Sequence, residues 1–107
     1  MHARRTDTTH AEIRDGLRTA GFFVADTSGV GNGFPDLVIS RNGFMALVEC
    51  KTRRHTGKRA RQTALDRLGA AQKTFRDDWK GPPVIVAYSL EAVLFDFHLI
   101  MKRNGHP

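Results

Sequence analysis

Apolar residues recur along this chain with two different periods. Over residues 7–20, Ile13, Leu17 and Ala20 keep the three-to-four spacing of one helix face, and Gly21 follows as a stop signal, so a first helix is expected there. From position 22 the rhythm shortens. Residues 22–26 read as a short strand, residues 27–33 (TSGVGNG) carry too much glycine for regular structure, and residues 36–40 and 44–51 read as two further strands. Arg41-Asn42-Gly43 joins these two as a hairpin, because Asn and Gly both tolerate positive φ. A second helix over 70–79 stops at Gly81-Pro82-Pro83, residues 84–88 form a buried type of strand, and Ser89 caps a last helix through about residue 101. Phe22 and Phe23, and the pair Phe75 and Trp79 at i, i+4 on the second helix, are expected in the core.

The last helix has two apolar sides. Leu90, Val93, Leu94, Phe97, Ile100 and Met101 form one stripe that suffices for docking on a sheet, while Phe95 and Leu99, with Ala92, lie opposite. Such a helix calls for two partners, so a homodimer joined through Phe95 and Leu99 is expected. The order α-β-β-β-α-β-α, without repeat or linker, predicts one domain over residues 1–107, an α/β fold with a mixed central sheet flanked by helices.

Charge narrows the class of partner. Lys and Arg number 17 against 11 Asp and Glu, a balance of +6 with histidines neutral, which suits a polyanion such as nucleic acid. Residues 51–61, KTRRHTGKRAR, hold six Lys or Arg and no acid. They lack apolar periodicity and are expected to form a basic loop whose Arg53, Arg54, Lys58, Arg59 and Arg61 touch DNA phosphates. The apolar share of 40% is that of an ordinary globular domain. Neither a signal peptide nor a membrane span is expected, because no long apolar run follows the first arginines, and the expected location is cytoplasmic. The lone Cys50 excludes an intrachain disulfide and a multi-cysteine zinc site.

Side chains at i and i+2 of a strand share a face, so Glu49 and Lys51 point one way and Val48 and Cys50 the other. The hairpin brings Asp36, at the start of the neighbouring strand, beside Glu49. Two carboxylates and an amine are thereby gathered at the end of an apolar strand. Phosphodiester hydrolysis needs those groups: two carboxylates hold Mg²⁺ or Mn²⁺, which polarises the phosphate and lowers the pKa of its bound water. Lys51 would orient that water or offset charge on the transition state. The Cys50 carbonyl is a further candidate metal ligand, its thiol being turned to the core.

Gly33-Phe34-Pro35-Asp36-Leu37, then Val48-Glu49-Cys50-Lys51, then Leu68 and Gln72 resemble the PD-(D/E)XK nuclease superfamily, and within it the virus-type replication-repair nuclease (VRR-NUC) domain. The resemblance spans nearly the whole chain. It implies a restriction-endonuclease-like αβββαβ core, metal ligation by Asp36, Glu49 and the Cys50 carbonyl, a catalytic Lys51, and Gln72 reaching the site from its helix. It also implies a metal-dependent DNA endonuclease of replication, recombination or repair that selects branched or flapped DNA, with Holliday-junction resolution within its range. A restriction or nicking enzyme, and a non-catalytic nucleic-acid-binding module of the same fold, are the alternatives. One departure stands out: the family's first-helix glutamate falls at His10, so either His10 replaces it or Glu12 substitutes, and the number of metals stays open.

Overall fold

The computed structural model describes residues 5–51 and 68–105. Within them the chain folds as α1 (Arg5–Thr19), β1 (Phe23–Asp26), β2 (Leu37–Arg41), β3 (Phe44–Cys50), α2 (Ala70–Asp78), β4 (Val84–Ala87) and α3 (Leu90–Arg103). This is the expected order, an α/β arrangement with three helices and one four-stranded mixed sheet among the described residues. The strands lie in the order β1-β2-β3-β4, the first three antiparallel and β4 parallel to β3. A parallel neighbour requires a crossover, and the segment holding α2 supplies it.

The hairpin sets the register that matters most. Asn42 at φ 55° and Gly43 at φ 79° are both left-handed, the pattern of a two-residue turn matched to strand twist, and Arg41 pairs with Phe44. Pairing then runs in step to Leu37 and Val48, which sets Asp36 opposite Glu49 one position further on.

The two faces of the sheet differ. Leu37, Ile39, Phe44, Ala46, Val48, Cys50, Ile85 and Ala87 point to one side, where Ile13 and Leu17 of α1 and Val93, Phe97 and Met101 of α3 close the main core. Phe97 meets Phe22 and Phe44 edge to face, with ring centres 4.9 and 5.3 Å apart. Ser89 caps α3, its hydroxyl accepting the Ala92 N–H at 3.2 Å. The other face carries Leu47, Glu49 and Val86, with Leu68 packed on Val86.

Several side chains lie elsewhere than their periodicity implies. Ala20 is exposed, because the buried stripe of α1 ends at Leu17 and Gly21 turns the chain away at φ 93°. Phe23 is 65% exposed: Val24 takes the core side of β1, so alternation turns Phe23 outward. Ala92 joins the main core rather than the outer side of α3, whereas Phe95 and Leu99 are exposed. No residue of α2 is fully buried, and Phe75 and Trp79 pack on each other and on Phe34 outside the core. The basic loop with Arg53, Arg54, Lys58, Arg59 and Arg61 lies outside the described residues. No helix among those described is long and apolar enough to cross a membrane.

Candidate functional site

Four of the expected site residues meet on the α2 side of the sheet, at the end where β2 begins and β3 finishes. Asp36 accepts the Cys50 backbone N–H at Oδ2, 2.8 Å away. In the continuing register Cys50 would face Pro35, which has no N–H to return, so the proline of the Pro-Asp pair leaves the Cys50 carbonyl without its ladder donor. A strand residue's carbonyl shares an edge with its own N–H, which places that oxygen on the Asp36 side. The Cys50 thiol is buried in the main core, as expected, and burial together with the nearby carboxylates pushes its pKa up.

Glu49 is the most enclosed charge here, with a side chain 6% exposed, so it is no surface ion pair. Gln72 links it to Lys51: its Nε2 donates to Glu49 Oε2 at 2.6 Å, and its Oε1 accepts Lys51 Nζ at 2.9 Å and the Gly69 N–H at 3.0 Å. The last of these is half of a capping box that fixes Gln72 in the first turn of α2. Lys51 Nζ lies 3.6 Å from Glu49 Oε2. Burial, and then repulsion from Asp36, raise the Glu49 pKa from an ordinary 4.5 to about 7 against the opposing pull of Lys51.

The loop before Asp36 is held against α2. Gly33 has φ 82°, and a Cβ there would lie 2.3 Å from the Ala71 carbonyl oxygen. Only glycine permits that approach. Thr27 secures the other side, its N–H reaching the Asp36 carbonyl and its hydroxyl the Pro35 carbonyl, both at 2.8 Å.

His10 does not join this group. Its Nε2 sits 3.2 Å from Asp26 Oδ2, close enough for an ion pair but out of line for a hydrogen bond. Burial alone would raise the Asp26 pKa, but the Ser28 hydroxyl and N–H, with His10 and Arg14, bring it down to about 2. This cluster ties α1 to the end of β1. Its sequence signal, an Asp followed at i+2 by a Ser in a turn, is the common Asx pattern and points to no chemistry by itself. Glu12 is exposed on α1. Among the described residues no three His, Cys, Asp or Glu side chains form a metal-holding group.

The donor set nevertheless suits one kind of ion. Asp36, Glu49 and a backbone carbonyl offer only hard oxygen ligands, as Mg²⁺ and Mn²⁺ prefer, and Mg²⁺ commonly takes one or two carboxylates and fills its shell with water. Burial is the first cause of the raised Glu49 pKa and repulsion from Asp36 the second, and a cation would relieve the second.

The aromatic group Phe34, Phe75 and Trp79 is a neighbour that periodicity alone assigns to the core. Position gives it away: Phe34 is two residues before Asp36, and Phe75 and Trp79 follow Gln72 at i+3 and i+7 on α2. Comparison with protein-family models, curated proteins and solved structures finds no match.

Proposed function

We propose that this chain is a divalent-metal-dependent DNA endonuclease of the VRR-NUC type, with the restriction-endonuclease-like core of the PD-(D/E)XK superfamily. It acts in replication, recombination or repair on branched or flapped DNA, as a homodimer. The observation that carries this reading is the closed contact from buried Glu49 through Gln72 to Lys51, with Asp36 opposite Glu49 across the strand pair. A structural ion pair needs no second carboxylate raising its partner's pKa. A phosphodiester-cleaving site does, because it must hold a cation and keep a lysine beside it.

In this reading Asp36, Glu49 and the Cys50 carbonyl hold Mg²⁺ or Mn²⁺, which supplies Lewis-acid polarisation of the scissile phosphate and acidifies water. Asp36 is oriented by the Cys50 N–H at Oδ2 and would offer its carboxylate to the ion. Gln72 keeps the Lys51 ammonium beside Glu49, from where it orients the attacking water and offsets the negative charge that builds on phosphorus. Arg53, Arg54, Lys58, Arg59 and Arg61, directly beyond Lys51 in the chain, grip the phosphate backbone.

The test is cleavage of linear, flapped and four-way DNA. Cutting is expected with Mg²⁺ or Mn²⁺, none in EDTA and none with Asp36→Ala, while Lys51→Ala keeps DNA affinity and loses orders of magnitude in rate. Cutting by Asp36→Ala at the wild-type rate, or by wild type in chelator, overturns the reading. DNA binding without cutting under any metal favours the non-catalytic module.

A further inference from the structure

An open hollow of about 430 Å³ lies along α2, lined by Asn32, Ala71, Thr74, Phe75, Asp78 and Trp79. We propose that it holds an unpaired nucleobase of the DNA substrate, stacked on Trp79 and Phe75 and recognised at its pairing edge by Asp78. The inference rests on the reading of the chain as one that acts on DNA.

The hollow borders the catalytic group through a shared wall. Phe75 lines both it and the small cavity that contains Glu49, Gln72 and Pro35. Its near end, Asn32 and Ala71, adjoins Gly33 and Gln72. From Gln72 to Trp79 is about 10 Å along the helix axis, or about three nucleotides of stacked strand.

The aromatic surface is rigid and partly open. Trp79 stacks on Phe75 with ring centres 5.0 Å apart and 21° between planes. Its indole N–H donates to the Pro82 carbonyl at 2.7 Å, and Phe34 meets both rings edge-on. Even so, Trp79 stays 36% exposed. A fixed flat ring offers stacking without the entropy of ordering it, and such stacking tolerates any base.

Charge decides between base and backbone. A carboxylate repels phosphate, so Asp78 makes the hollow a poor seat for the sugar-phosphate chain. The same carboxylate accepts an N–H or amino group from the pairing edge of a base. In a duplex that edge is occupied by the complementary strand. The hollow therefore distinguishes single-stranded from paired DNA, while Asn32 and Thr74 provide further polar contacts at its rim.

Trp79 is the only tryptophan in the chain, so intrinsic fluorescence reports on this place alone. The full chain is titrated in EDTA with an end-labelled single-stranded oligonucleotide, and separately with the same strand annealed to its complement. Label anisotropy measures binding in parallel. The single strand should quench Trp79 to saturation and the duplex should not. Trp79→Ala should lower the ratio of single-strand to duplex affinity about tenfold, and Trp79→Phe should retain most of it. A single strand that binds without quenching, or an unchanged ratio in Trp79→Ala, overturns the proposal. The wild-type quenching decides the matter even if the alanine variant fails to fold. Cleavage with Mg²⁺ is scored separately: loss of quenching with cutting intact removes only this hollow, and quenching without cutting removes only the nuclease.

Discussion

At the scale of single residues, Glu49 couples the site to pH. A carboxyl whose folded-state pKa stands above its ordinary value holds its proton more tightly folded than unfolded. Its contribution to stability is therefore complete below the ordinary 4.5 and is lost as pH rises through about 7. Glu49→Gln removes this dependence, so the metal-free variant should melt several degrees above wild type at pH 8 and close to it at pH 4. Added Mg²⁺ should raise the wild-type melting temperature and leave the variant unmoved. Calorimetry at the two pH values checks this, and a variant that melts no higher than wild type at pH 8 would show that Asp36 and burial do not strain Glu49. Part of this residue-scale picture is legible in the sequence. Strand alternation is a local rule, and it turns Glu49 and Lys51 to one side and Cys50 to the other. The partnership of His10 with Asp26 is not legible, because it depends on where α1 crosses the end of β1.

At the scale of elements, the delivery of Gln72 depends on how α2 meets the loop before Asp36. The contact passes through Gly33, where a side chain would strike the Ala71 carbonyl in a backbone conformation that already disfavours one. Gly33→Ala should cost more than about 1 kcal/mol and draw α2 away from the sheet. Gln72 would then leave Glu49 and Lys51, and, on the proposed nuclease reading, misplacement by an ångström should lower cleavage about a hundredfold. Thermal melting and single-turnover cleavage measure the two effects, and wild-type values in both would show that the approach is not needed. The elements themselves follow from local signals: Asn42-Gly43 for the hairpin, Ser89 for the α3 cap, and the glycine-rich TSGVGNG for a loop. What that loop touches does not follow, since the contact joins residues far apart in the chain. Phe75 and Trp79 show the same limit. Their i, i+4 spacing identifies a shared helix face but not what that face meets, and here it packs on Phe34 rather than on the sheet.

At the scale of the whole molecule, the exposed side of α3 bears on assembly. Phe95, 64% exposed, and Leu99 stand at the rim of a groove of about 370 Å³ along β4, the last strand of the sheet. Projection and recess lie side by side, so a two-fold pair can seat each copy's Phe95 in the other's groove. Sedimentation at micromolar concentration should show a dimer for wild type and a monomer for Phe95→Glu with Leu99→Glu, whereas a dimer that survives both changes would place the interface elsewhere. The hairpin at residues 42–43 has a different consequence, for how such a chain can change over generations. It lies at the opposite end of β2 and β3 from Asp36 and Glu49, about 20 Å away at the usual strand rise. Residues inserted at its tip lengthen a surface loop and leave the strand pairing as it is. A single residue inserted inside β3, between Phe44 and Glu49, would send every later side chain to the opposite face and turn the Glu49 carboxylate into the apolar core. Lineages of this fold are thus free to grow at one end of the sheet and bound to a fixed residue count towards the other.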